Sequence, residues 1–372
     1  MTQVINQRIG KLRKTLLKQK LDALLILVGE NRYYLSGFSG EDTQFDESAG
    51  ALLISQNGLI LATDSRYEQQ ARREAPLYQT VCYREGLAGV LPRLLKKQKI
   101  RELGFESRRI SVSQYHAMNE AIEKNGYKVL LIETKDLVET LRMKKIKTET
   151  SMIQQALKIA ETSFEKMIRY IRPGMSEMET AWTLEKELRE NGAEGLSFPT
   201  IVASGPNSAL PHAIPGNRKL KSGEPILFDW GVRLGGYCSD ISRTIVIGKP
   251  DNTFKSVYQT VQDAQKKAIA AVRSGSSTRQ VDAVARKHIE KKGFKGRFGH
   301  GLGHGVGLAI HEHPRLSPHS DTVISPGMVF TMEPGIYLPG WGGVRIENMV
   351  RVHRKGNEVL NRLGTDLMRI EA

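Results

Sequence analysis

Cysteine is almost absent: Cys82 and Cys238 are the only two in 372 residues. Two thiols cannot make a disulfide framework, so a reducing compartment, the cytoplasm, is the expected location. Long apolar runs are missing as well. Ala23–Val28, the longest early one, falls far short of the roughly 20 residues a spanning helix needs, which excludes a helical membrane protein. The opening Met1-Thr2-Gln3-Val4 lacks the charged-then-apolar layout of a secretory leader. No short repeat and no low-complexity linker is present, which excludes a solenoid. Charge, by contrast, is abundant and unbalanced: 55 Lys and Arg against 40 Asp and Glu leave a net +15. A basic surface can attract nucleic acid. Here the cations are scattered in short clusters such as Lys96-Lys97, without a basic tail or an RNA-binding aromatic motif, so no nucleic-acid partner is expected. Lys144-Lys145 and Lys291-Lys292 read as solvated helix ends.

At about 150 residues per domain the length implies two domains. Ile5, Ile9, Leu12 and Leu16 share one helix face, with Arg8, Lys11, Lys14 and Lys18 outside it. Strand-like runs follow at Ala23–Val28, Ala51–Ser55, Leu59–Ala62 and Lys128–Ile132, separated by turns and helical stretches. This pattern predicts a small α/β domain over residues 1–133. Residues 134–372 then form an α+β domain. It opens on long amphipathic helices split at Pro173-Gly174, with Ser176 and Glu179 spaced as a capping box. Further helices are expected at Phe254–Arg273 and Thr278–Lys292.

Chemistry concentrates in the second domain. Apolar and β-prone residues flank Leu234-Gly235-Gly236, so a hairpin is expected, and a turn centred between Leu234 and Gly235 would set Asp229 directly opposite Asp240. Two like charges at that spacing repel unless cations lie between them. A second hairpin centred on Gly340 would bring Glu333 to Glu347. Between the pairs lies Gly299-His300-Gly301-Leu302-Gly303-His304-Gly305-Val306-Gly307, too rich in glycine for a helix, so its histidines are not a helical zinc pair. On an extended backbone His300 and His304 share a face, and His311-Glu312-His313 follows. Four carboxylates carry −4, which two divalent ions would neutralise. One imidazole among oxygen ligands suits manganese, cobalt, iron or zinc better than calcium. Such a pair of ions can activate water against a polarised carbonyl or phosphoryl group, so a two-metal hydrolase is favoured with its substrate open. His116, His288, His319 and His353 read as surface or packing residues, and Cys238 as a small buried thiol.

These residues resemble the pita-bread metallopeptidases: aminopeptidase P, prolidase and methionine aminopeptidase. The strings from Ser204 to His212 and from His300 to Glu312 resemble the proline-peptidase branch. The resemblance implies that Asp229 chelates one metal, that Asp240 and Glu347 bridge both, and that His304 and Glu333 complete the second. It implies that Glu333 also shuttles a proton to the leaving nitrogen, and that His212 and His311 bind substrate and stabilise the tetrahedral intermediate. His300 would lie on the leaving-group side, and Arg345 would steady an acid and the substrate. The cofactor would be two divalent ions, manganese first, with cobalt, zinc or iron as alternatives. The first domain resembles the creatinase-type N-terminal domain, its early turn being Asn31–Gly40, whereas methionine aminopeptidases usually lack that domain. A homodimer acting on proline-containing peptides is expected.

Two departures from the family stand out. The acidic loop Glu41–Ser48 is longer than typical; in family dimers the N-terminal domain of one subunit often borders the other's active site, so the loop could limit substrate length. Asn348 stands where the family usually has Asp, which affects a supporting hydrogen bond rather than a ligand. Among activities, Xaa-Pro aminopeptidase is placed first, because no feature closes the site against a longer chain. Xaa-Pro dipeptidase is the alternative. Creatinase-like amidinohydrolases and non-catalytic relatives that bind nucleic acid or protein are disfavoured, because they have lost metal ligands and this chain replaces none of the five.

Overall fold

The computed structural model describes residues 2–42, 44 and 47–371. Of the acidic loop, positions 43, 45 and 46 lie outside the described residues. The chain divides into two compact units, Met1–Arg142 and Met143–Ala372.

The first unit is built on a six-stranded sheet. Its strands run in the order Gln79–Cys82, Leu59–Thr63, Ala51–Ser55, Ala23–Ile26, Glu102–Glu106, Leu130–Thr134. The two central junctions, Ala23–Ile26 with Ala51–Ser55 and Ala51–Ser55 with Leu59–Thr63, are antiparallel, and the outer pairs are parallel. Ile5, Ile9, Leu12 and Leu16 are buried along one face of the helix Thr2–Lys18, as their spacing requires. The strands Gln79–Cys82 and Glu102–Glu106 are additions to the sequence reading. Glu102–Glu106 carries acids at both ends, which hides its buried Leu-Gly-Phe centre from an apolar-run search.

The unit ends after Arg142 rather than after residue 133, because a further helix, Leu137–Arg142, is tied into it by polar contacts. The buried Glu106 carboxylate accepts from the backbone N–H groups of Leu27 and Val28, both at 2.7 Å, and from Asn31 Nδ2 at 2.6 Å. Asn31 Nδ2 also reaches Glu139, and Asn31 Oδ1 accepts from Arg142. Glu106, Asn31, Glu139 and Arg142 thus link the sheet, the helix Gly29–Ser36 and the last helix. Asp42, in the acidic loop, is not a solvated charge: it pairs with the buried Arg32 at 2.6 Å and with Arg109 at 3.1 Å.

In the second unit the helices Lys147–Met167 and Glu177–Glu190 pack together over a sheet ordered Arg369–Ile370, Ile241–Ile247, Pro225–Trp230, Ile201–Ser204. Trp230 stacks on Phe164 at 4.3 Å between ring centroids, and its Nε1 donates to Ala160 O at 3.0 Å. The strand bearing Asp229 is thereby fixed to the first helix. Ser176 and Glu179 form the expected capping box. The helices Asn252–Ala271 and Thr278–Ile289 cover a second sheet, ordered Glu312–Leu316, Gly303–Gly305, Val329–Met332, Asn348–His353, Gly356–Val359. A two-stranded hairpin, Gly335–Leu338 with Gly342–Arg345, and a three-stranded sheet ordered Tyr237–Cys238, Val232–Leu234, Gly195–Leu196 complete the unit.

Burial, assisted by the charge of Glu139, pushes the Glu106 carboxyl up to about 7 from an ordinary 4.5. The folded chain therefore holds this proton more tightly than the unfolded chain. Its stabilising contribution is complete below about pH 4.5 and is lost as pH rises towards 7, a change of about 3 kcal/mol. Hydrogen exchange of the Ala23–Ile26 amides, corrected for intrinsic rates, should show less protection at pH 8 than at pH 5. Glu106→Gln should flatten that difference.

Candidate metal centre

Two strand junctions carry the acids. In the first, the turn is formed by Gly235-Gly236, one residue later than the sequence reading put it. Both central residues of a type I′ turn need positive φ; Gly235 and Gly236 have 55° and 77°, values Leu234 would adopt only with strain. The register consequently pairs Asp229 with Ser242, not with Asp240. Asp240 precedes Ser242 by two residues, so the two acids are diagonal neighbours on one face instead of directly opposed. The second junction follows the Gly340-centred reading: Gly335 pairs with Arg345, and Met332 with Asn348. Glu333 and Glu347 occupy the step between those two ladders. The junctions are joined by Glu347 N–H donating to Ser242 O at 3.1 Å and by Ser242 Oγ donating to Glu347 Oε2 at 2.9 Å.

His304 lies on Gly303–Gly305, where its own N–H donates to Thr331 Oγ1. Gly303 is obligatory there, since a Cβ would sit 2.0 Å from Thr331 O. His304 Nδ1 faces Gly305 O at 3.1 Å, and a carbonyl only accepts, so Nδ1 carries the proton. Nε2 is then a lone-pair donor, 3.4 Å from both Asp240 Oδ2 and Glu333 Oε1. Burial, together with His311, pulls the His304 imidazole down to about 3, so it is neutral at physiological pH.

Asp240, His304 and Glu347 have ligand atoms within 4.8 Å of one another. Burial and neighbouring acids raise Asp240 and Glu347 well above the carboxylate range, and burial pushes Glu333 up to about 7. Asp229 Oδ1 is buried without a hydrogen-bond partner, while Oδ2 takes Arg345 Nη2. A neutral imidazole lone pair, an orphaned carboxylate oxygen and three acids that resist losing their protons form a donor set that fits divalent cations.

The same residues line one cavity of about 550 Å³, together with His212, His300, His311 and Arg345. His311 stands edge-on to His304, 4.3 Å between ring centroids, with its imidazole lowered by burial and by Arg315. His212 sits on the loop after Gly205–Ala209. Both ends of that loop are anchored by the buried Glu177, which accepts from Ser204 N–H, Asn207 Nδ2 and Gly216 N–H. His300 reaches the cavity with both ring nitrogens committed, Nδ1 to Gly301 O and Nε2 to Tyr337 Oη, each at 2.8 Å. Arg345 is buried and fully engaged by Asp229, Ser242, Tyr337 and Pro211 O. These contacts fix the His300 and Arg345 side chains in the cavity wall. Asn348 Oδ1 accepts from Arg243 Nη2, so the residue that departs from the family supports a fully buried cation.

Sequence reading missed Arg315. It pairs across the ladder with His304, lines the cavity, and is exposed, with no hydrogen bond or ion pair to its guanidinium among the described residues. Its position, four residues after His311 on the next strand, is the signal that could have found it. Lys145 was also misread, for it is buried and paired with Glu312.

Residues 151–354 match the metallopeptidase family M24, and residues 8–144 match the Creatinase/Prolidase N-terminal domain. The chain belongs to metallopeptidase family M24. It is accordingly a metal-dependent hydrolase, with a creatinase-type N-terminal domain and a pita-bread C-terminal domain. Membership implies a dinuclear divalent metal centre. The chain is 33% identical to an Xaa-Pro dipeptidase of Pyrococcus horikoshii, over 98% of this chain and 99% of the relative. Among solved structures, an Xaa-Pro dipeptidase from Bacillus anthracis superposes with TM-score 0.92 at 38% identity, covering 98% of this chain and 100% of that one. An X-Pro aminopeptidase from Thermotoga maritima MSB8 superposes with TM-score 0.85 at 37% identity, covering 94% and 98%. No helix among the described residues is long and apolar enough to cross a membrane.

Because Asp240, Glu333 and Glu347 hold protons too tightly in the absence of cations, metal loading should release protons. Affinity for manganese should therefore rise with pH up to at least about 7. Calorimetric titrations in buffers of different ionisation enthalpy measure the proton count directly. Asp240→Ala should lose metal and activity together.

Proposed function

We propose that this protein is a metal-dependent Xaa-Pro dipeptidase, reversing the order in which the sequence alone placed dipeptidase and aminopeptidase. The observation that carries the choice is Arg315: an unpaired cation on the cavity wall complements a carboxylate, and in a dipeptide the residue after the scissile bond carries a free one. The Pyrococcus and Bacillus anthracis relatives, both named Xaa-Pro dipeptidases, support the same reading. The Thermotoga neighbour, named an X-Pro aminopeptidase, favours the other reading.

In this proposal Asp229, Asp240, His304, Glu333 and Glu347 would hold two divalent ions, manganese first. When bound, the ions supply Lewis acidity for activating water and polarising the scissile carbonyl. The residues around them do the rest. A bond before proline is a tertiary amide without N–H, so its nitrogen must be protonated to leave. Glu333, on the cavity wall, is the acid placed to carry a proton to that nitrogen. His311 and His212 flank the cavity where charge grows on the carbonyl oxygen, and an imidazole N–H there stabilises it. Tyr337 keeps His300 in place, and Arg345 keeps Asp229 in place. A cytoplasmic homodimer completes the proposal; Cys82 and Cys238, neither of them in a disulfide, support the reducing compartment.

Three peptides test the reading, each with manganese and with cobalt: Ala-Pro, Arg-Pro-Pro and Met-Ala-Ser. Hydrolysis of Ala-Pro alone is expected. Efficient cleavage of Arg-Pro-Pro would restore the aminopeptidase reading, and preference for Met-Ala-Ser would defeat the proline specificity. Arg315→Leu should raise KM for Ala-Pro by roughly tenfold or more, the scale of one lost charge-assisted hydrogen bond, with a smaller change in kcat. His311→Ala should keep its metal and lose roughly 10² in kcat.

A further inference from the structure

His311 is the last residue of an excursion. The ladder between Gly303–Gly305 and Glu312–Leu316 sets Gly305 opposite Glu312, so residues 306–311 bulge from the sheet and re-enter it immediately after the histidine. The start of this six-residue loop is held by the buried side chains of Val306 and Leu308 and by Val306 N–H donating to Val329 O, which leaves the half next to His311 to be fixed. That half is held by the side chain of Glu312, folded back beneath it. Glu312 Oε1 accepts from Ala309 N–H at 3.0 Å, and Oε2 takes Lys145 Nζ at 2.9 Å. The side chains of Lys145 and Glu312 are 1% and 6% exposed. Lys145 is itself fixed by its backbone N–H, which donates to Gly327 O. From the other side Cys238 N–H donates to Gly307 O at 2.7 Å. The loop has no slack at Gly307, where a Cβ would lie 2.6 Å from Glu312 Oε2.

Neither Lys145 nor Glu312 lines the cavity. A buried ion pair is also a poor way to gain stability, since desolvation of both charges offsets their attraction, whereas it fixes geometry well. We propose that the Lys145–Glu312 pair positions His311, clamping the 306–311 loop so that the imidazole is held beside His304 and over the scissile carbonyl. This rests on the reading of His311 as the group that stabilises charge on that carbonyl. The residues are positioning groups and touch no substrate.

A double-mutant cycle on the manganese-loaded full chain tests it, using whichever of Ala-Pro and Arg-Pro-Pro the wild type cleaves. Lys145→Met should lower kcat about tenfold or more with bound manganese and KM little changed. In a His311→Ala background the same substitution should cost nothing further, because the group it positions is gone. Additive losses in the two backgrounds would overturn the proposal. Hydrogen exchange supplies a readout independent of activity: the Ala309 amide should exchange at least tenfold faster in Lys145→Met, and unchanged protection would also overturn it. Full activity of His311→Ala would instead sink the reading of that histidine, while the exchange arm still reports on the clamp. Should Lys145→Met fail to fold, Glu312→Gln carries the same cycle. Its amide presents one acceptor to the two donors Ala309 N–H and Lys145, so one of them is left unpaired.

Discussion

Four carboxylates brought together away from water are the constraint to which the second unit answers. Asp229, Asp240, Glu333 and Glu347 arrive on two strand junctions whose backbones are cross-linked at Ser242 and Glu347, so the acids cannot move apart to relieve their repulsion. Arg345 offsets one charge through Asp229, and its remaining donors are consumed by Ser242, Tyr337 and Pro211. Burial first, and the repulsion that remains second, show as protons held on Asp240, Glu333 and Glu347. A fold that concentrates acids in this way is stable at neutral pH with protons or with cations, and only cations leave the carboxylates free to act as ligands.

Strand junctions and loops divide the work. The junctions hold acids, whose positions must tolerate strong mutual repulsion, and ladder hydrogen bonds supply that rigidity. The loops hold His212 and His311, both on the cavity wall. Each of these loops is in turn secured by one buried glutamate: Glu177 for the segment bearing His212, Glu312 for the segment bearing His311. Both glutamates sit at the start of a regular element, Glu177 on the helix Glu177–Glu190 and Glu312 on the strand Glu312–Leu316. The loops are thereby fastened to the most rigid parts available.

Much of this was legible in the chain because it follows from period and turn chemistry. The buried face Ile5, Ile9, Leu12 and Leu16, the Ser176–Glu179 cap and the Gly340 hairpin are all local patterns. The first hairpin was placed one residue early because its flanking residues are compatible with either register; only the demand for positive φ at both turn positions selects Gly235-Gly236. Lys145 and Glu312 stand 167 positions apart, and no local pattern marks two charges that will be buried against each other. Arg315 was overlooked for a related reason: a single arginine becomes significant only when the ladder sets it opposite His304. The boundary after Arg142 depends likewise on tertiary polar contacts through Asn31, which a falling-off of strand signal near residue 133 does not reveal.

The charge arithmetic of the cavity also bears on what it accepts. Four carboxylates and Arg345 sum to −3, and two divalent ions would bring the total to +1; His300 and His304 add nothing, because burial keeps their imidazoles neutral. Arg315 at the wall raises the excess to +2. A cavity with that residual charge favours an anionic substrate over a neutral one, and it favours the anion most strongly when the negative group lies within a few ångströms of the guanidinium. A dipeptide ending in proline places its carboxylate one residue from the bond to be broken. A longer peptide moves that carboxylate outward, where solvent screens it and the excess positive charge is left uncompensated. Length selection can therefore arise from electrostatics at the wall, without any segment that physically closes the site.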